Sequence, residues 1–69
     1  MKDYDRLVLR YVIEFKKTNG YSPTIREIAD GLNTKNTTYI QESLSRLQAN
    51  EYITMKDRQA RTIVVKKFI

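Results

Sequence analysis

Between Lys35 and Ser45 the chain carries a dense run of hydrogen-bonding side chains: Lys35, Asn36, Thr37, Thr38, Tyr39, Gln41, Glu42 and Ser45. Such groups match the donors and acceptors displayed in a DNA major groove, where glutamine pairs bidentately with adenine, glutamate accepts from the cytosine amino group, and threonine bonds phosphate or base. A second set, Lys56, Arg58, Gln59 and Arg61, is mostly basic and suits a phosphate backbone or a narrow minor groove. A third, Ser22, Thr24 and Arg26, offers hydroxyls and a guanidinium suited to gripping a phosphate. Each set also has a plainer reading. The first is then a solvated helix face, the second is edge-strand protection by charge, and Thr24 is simply a helix cap.

Other chemistries have few candidates. The 69 residues contain neither cysteine nor histidine, which removes disulfides, thiolate metal sites, the usual general base near neutral pH and the commonest metal ligand. No enzyme, metal, cofactor or small-molecule ligand is expected. The longest apolar run is far below the ~20 residues that span a bilayer, and the start, Met1-Lys2-Asp3-Tyr4-Asp5, lacks the cationic region of a signal peptide. A soluble, cytoplasmic, nucleoid-associated protein is expected, with one domain over residues 1–69. The net charge of +5 is uneven: residues 1–53 hold eight Lys/Arg against seven Asp/Glu, residues 54–69 five against one. That asymmetry points to a polyanion at the C-terminal end, with a solvated tail as the alternative.

The elements that must position these residues follow from periodicity. Tyr4, Leu7, Val8, Tyr11, Val12 and Phe15 share one face of a helix from about Tyr4 to Thr18, with Asp3 and Asp5 at its start, Lys16 and Lys17 in its last turn and Gly20 as a stop. Leu9 and Ile13 fall on the opposite face, available to another element or a second subunit. Pro23 keeps Ser22 extended. Thr24 and Glu27 then form a capping box for a second helix buried through Ile25, Ile28, Ala29 and Leu32, and ended by Gly31 and Asn33. Asn36 caps a third helix, with Thr38 and Gln41 as a competing capping box, and Ile40, Leu44 and Leu47 form its buried stripe. After Asn50-Glu51 the period becomes two. Ile53 and Met55 face inward, Asp57 to Ala60 turn, and Thr62 to Lys66 return with Ile63 and Val65 inward. Three helices followed by a two-stranded hairpin make a mainly α winged helix-turn-helix, whose third helix enters the major groove.

The stretch Gly20-Tyr21-Ser22-Pro23-Thr24-Ile25-Arg26-Glu27-Ile28-Ala29 resembles the loop and second helix of the LexA repressor DNA-binding family. Leu32, Leu44, Leu47 and Ile53 keep that family's apolar spacing, and Arg61-Thr62-Ile63 resembles the start of its second wing strand. The resemblance runs without a gap from about Gly20 to Val65, and helix 1 agrees in character. It implies operator contacts by Asn36, Thr38, Tyr39, Gln41 and Glu42. Tyr39 and Ile40 replace small residues, so the family's operator sequence does not transfer. Glu51 stands where a glycine usually follows the helix, so either Asn50 becomes left-handed or the turn differs. The family's self-cleaving C-terminal domain has no counterpart in these residues, so damage-triggered autoproteolysis is not expected within this polypeptide.

The expected function is sequence-specific binding of double-stranded DNA by a bacterial or phage repressor. A homodimer on a palindromic site is expected, because one recognition helix covers few base pairs. Two readings compete: a protein-interaction module presenting Leu9, Ile13, Val64 and Phe68, and a replication or recombination accessory factor.

Overall fold

The computed structural model describes residues 1–56 and 59–67. Helix α1 spans Asp3–Asn19, α2 Ile25–Gly31 and α3 Thr37–Ala49, followed by β1, Ile53–Thr54, and β2, Val64–Val65. The strands pair antiparallel, Ile53 opposite Val65 and Thr54 opposite Val64. This is the winged helix-turn-helix expected, with strands shorter than the alternation implied. No helix among the described residues is long and apolar enough to cross a membrane.

One core joins all the elements: Val8, Leu9 and Val12 from α1, Ile28 and Ala29 from α2, Ile40, Leu44 and Leu47 from α3, and Ile53 and Ile63 from the hairpin. The orientation of α1 within it differs from the periodicity reading. Leu9, expected outside, is 0% exposed, whereas Leu7, expected inside, is 51% exposed. Counting apolar residues centred the buried stripe between Tyr4 and Phe15, but the observed stripe is Asp5, Val8, Leu9 and Val12. The difference is a rotation of about 100°, one residue's worth. Tyr4, Tyr11 and Ile13 are left on its flanks, partly buried.

A polar residue causes that rotation. Asp5 is 3% exposed and accepts from Ser43 Oγ at 2.6 Å, from Arg46 Nε at 2.9 Å and from Arg46 Nη2 at 2.9 Å. A carboxylate is costly to bury unless its oxygens are bonded and its charge is matched, and here both conditions hold. Arg46 lowers the Asp5 pKa from its ordinary 3.8, with burial opposing and the Ser43 hydroxyl assisting.

Both helices of the helix-turn-helix end in the same way. After α2, the Thr34 amide donates to Ala29 O at 2.9 Å and the Asn33 amide to Asp30 O at 3.1 Å, a Schellman motif with left-handed Asn33 at φ 59°. After α3, the Tyr52 amide donates to Leu47 O at 2.9 Å and the Glu51 amide to Gln48 O at 3.0 Å. Glu51 itself is left-handed there, at φ 65°, while Asn50 stays at φ −93°. The turn therefore keeps its geometry and Glu51 carries the strain. Gly31 does not end α2 by turning left-handed. It is helical, and the Tyr11 ring occupies the space where a Cβ would stand.

Three outcomes follow for stability. Glu51→Gly should raise it by about 1 kcal/mol in urea unfolding, because glycine adopts the left-handed conformation without a Cβ clash; a loss would refute the strain. Asp5→Asn should cost about 2 kcal/mol at neutral pH, less than the ~3–5 kcal/mol of a fully buried broken pair, because water reaches the Arg46 side chain, 35% exposed. With its folded pKa lowered, Asp5 stabilises the fold above its unfolded pKa, and this contribution is lost as pH falls through the folded value. Unfolding of the wild type should therefore show an acid-side decline, below about pH 4, that is shallower in Asp5→Asn.

Candidate nucleic-acid interface

Helix α3 is held by its buried face. Ile40, Ser43, Leu44 and Leu47 point into the protein, so the opposite face is fixed by the 3.6-residue repeat. Thr38, Gln41, Glu42 and Ser45 all lie exposed on it. At its start the Asn36 Oδ1 accepts from the Tyr39 amide at 3.1 Å, so Asn36 is the cap in preference to the Thr38–Gln41 alternative. Its own amide donates to Thr34 Oγ1 at 3.1 Å. Thr37 is half-buried beside Lys35, which is exposed. Tyr39, 48% exposed, sits at the edge of the face, its ring 4.8 Å from that of Tyr4. Tyr4 was not expected near this surface; its contact spans the two chain ends of α1 and α3, and no local pattern announces it.

The second and third residue sets meet in a groove between the start of α2 and the hairpin. Thr24 and Arg26 line it with Lys56, Gln59 and Arg61 over an apolar floor that includes Pro23, Met55 and Ile63. Arg26 also borders a second recess with Thr34, Lys35 and Thr37, so Arg26 stands between Lys56 and Lys35. The hairpin turn is organised by Thr62. Its Oγ1 accepts from the Lys56 amide at 2.9 Å, and its hydrogen lies within reach of Gln59 O at 3.1 Å and Lys56 O at 3.3 Å. Arg58 lies outside the described residues.

Three expected residues have other occupations. Ser22 is buried, 4% exposed, and its hydroxyl has no partner among the described residues; Pro23 after it is buried too, so that hydroxyl is turned away from solvent. Thr24 Oγ1 accepts from the Glu27 amide at 3.1 Å while Glu27 Oε1 accepts from the Thr24 amide at 2.8 Å, completing the capping box. Arg61 turns back onto α2, donating to both carboxylate oxygens of Glu27 at 2.9 and 3.1 Å and to Ser22 O at 3.1 Å. The Arg61 hydrogen bonds lead in lowering the Glu27 pKa, followed by the Thr24 amide. The apolar surface considered for a protein partner is also changed. Leu9 is buried, Ile13 is partly buried, Val64 is exposed, and Phe68 lies outside the described residues.

A protein-family model described as the LexA DNA-binding domain matches residues 3–62, extending the resemblance seen from Gly20 back through α1. The chain is 36% identical over 61 residues to the LexA repressor of Roseiflexus sp. (strain RS-1), covering 88% of this chain and 28% of that protein. It is 34% identical over 58 residues to the LexA repressor of Lactiplantibacillus plantarum (strain ATCC BAA-793 / NCIMB 8826 / WCFS1), covering 84% and 28%. It is 27% identical over 67 residues to that of Myxococcus xanthus (strain DK1622), covering 97% and 30%. The chain thus spans less than a third of the length of these relatives, and what it matches is a DNA-binding domain rather than a catalytic one. The helix-turn-helix, the hairpin that follows it and the family match over residues 3–62 agree: this chain belongs to the LexA DNA-binding domain family.

Proposed function

We propose that this domain serves a cytoplasmic, nucleoid-associated transcriptional repressor of a bacterium or phage, which binds one double-stranded DNA sequence as a homodimer. The observation that carries this reading is the exposed face of α3, where Thr38, Gln41, Glu42 and Ser45 make no side-chain hydrogen bond among the described residues. Placed in a major groove, Gln41 pairs with adenine, Glu42 accepts from cytosine, and Thr38 and Ser45 bond base edges or phosphate. Asn36 and Thr37 bring the start of α3 to the backbone, and Tyr39 sets a target of its own at the edge of that face. Lys35, Arg26 and Lys56 hold phosphates on either side, with Gln59 extending the contact, and Arg58, its neighbour in sequence, supplies a further cation. The name LexA repressor carried by the relatives supports repression. Two-fold pairing doubles the short sequence that one helix reads.

Selection from random duplex DNA, followed by titration of the selected site at several salt concentrations, tests this reading. The affinity should fall steeply with salt as bound counterions are released. Gln41→Ala should lose roughly 1–3 kcal/mol of discrimination at one base pair, whereas Lys56→Ala should weaken all duplexes alike and reduce the salt slope by about 1. Equal loss of discrimination from both variants would overturn the assignment of roles. The selected site should be palindromic and bind two chains; a non-palindromic site with one chain would refute the dimer.

A further inference from the structure

Arg61 belongs by sequence to the wing's cations, but its surroundings give it a different task. It stands at φ 59°, a left-handed conformation that strains any residue with a branched or long side chain and persists only where the surroundings hold it. Those surroundings are present. The guanidinium forms the fork–fork pair with Glu27 and a third bond to the Ser22 carbonyl, and it lies over the Tyr21 ring at 4.5 Å. Tyr21 in turn meets Phe15 edge-on with centroids 5.8 Å apart, and Phe15 meets Tyr11 at 6.1 Å. One side chain thus ties the hairpin to the capping box of α2, to the loop before it and to the aromatic flank of α1. The next residue, Thr62, closes the turn that carries Lys56 and Gln59.

We infer that Arg61 is a positioning residue for DNA binding: its clasp on Glu27, Ser22 and Tyr21 sets the wing in register with the helix-turn-helix, and it is not a phosphate contact. This rests on the proposed DNA-binding surface. A hairpin whose ladder is only two residues per strand has little of its own to fix its tilt. Holding its cations in place before DNA arrives lowers the ordering cost of binding.

The two roles for Arg61 predict opposite effects of Glu27→Gln. Glutamine keeps a carbonyl oxygen for the Thr24 amide, so the cap survives while the ion pair is lost. If Arg61 were a phosphate contact, removing a nearby negative charge and freeing the guanidinium would tighten binding. If it positions the wing, Glu27→Gln and Arg61→Ala should each weaken binding to the selected duplex by roughly tenfold, the double variant should be little worse than either single, and the salt slope should be unchanged. Arg61→Lys, which retains charge without the fork, should behave like Arg61→Ala. Hydrogen exchange at the Lys56 amide, which bonds Thr62 Oγ1, reads the clasp without DNA and should quicken in Glu27→Gln and Arg61→Ala while α1 amides stay protected. Tighter binding by Glu27→Gln, or a salt slope lowered by about 1 in Arg61→Ala, would overturn the positioning role. Unchanged Lys56 exchange in both variants would overturn the clasp itself, and failure of the wild type to bind any duplex would instead overturn the DNA-binding reading, which the exchange measurement distinguishes.

Discussion

The fold turns on a carboxylate. Asp5 lies under α3 with Ser43 and Arg46 bonded to it, and that arrangement orients α1 and secures α3. In α1 it draws the buried stripe round by about one residue, so that Leu9 enters the core and Leu7 leaves it. In α3 it secures the side that Ile40, Leu44 and Leu47 already turn inward. Hydrophobic burial alone would accept more than one rotation of α1, whose apolar residues lie on both sides, because it is non-directional. A buried carboxylate accepts very few, since each unmatched oxygen or charge would be costly. The exposed face of α3 thus lies opposite a side that an ion pair holds against α1.

The ends of the elements show where local preference gave way to this packing. Asn33 and Glu51 both occupy the left-handed position of a Schellman motif. Asparagine tolerates that conformation, and glutamate does so only with strain. Glu51 is held there because the Tyr52 amide must reach Leu47 O if Ile53 is to enter the core directly after α3. Arg61 repeats the pattern at the far end of the hairpin, strained in its backbone and secured through its side chain. Both departures lie at junctions between elements, where geometry is set by what must meet on either side.

Local signals therefore carried the element order, the caps and the buried stripes of α2 and α3. Thr24 with Glu27, and Asn36 ahead of Tyr39, have their bonding partners within three residues, so their roles were legible from spacing. The exposed face of α3 was legible for the same reason, since Ile40, Leu44 and Leu47 define its opposite. What spacing could not carry were contacts between residues about forty apart. Asp5 read as a favourable charge at a helix start, and no local pattern singles out Ser43 or Arg46. Arg61 read as a free cation, because nothing near it in the chain reveals Glu27. The hidden hydroxyl of Ser22 follows from the burial of Pro23 beside it, a tertiary fact.

On the proposed reading, recognition lies on a surface that the core orients and the clasp completes. Lys35, Arg26 and Lys56 flank it, and with the wing held by Arg61 as we infer, affinity and sequence choice would share one frame. The most direct measurement is amide chemical-shift mapping of the domain titrated with its selected duplex. The largest shifts should fall at Thr38, Gln41, Glu42 and Ser45, with Lys35, Arg26 and Lys56 beside them. Shifts centred instead on Ile13, Val64 and Val65, with those residues unmoved, would contradict it.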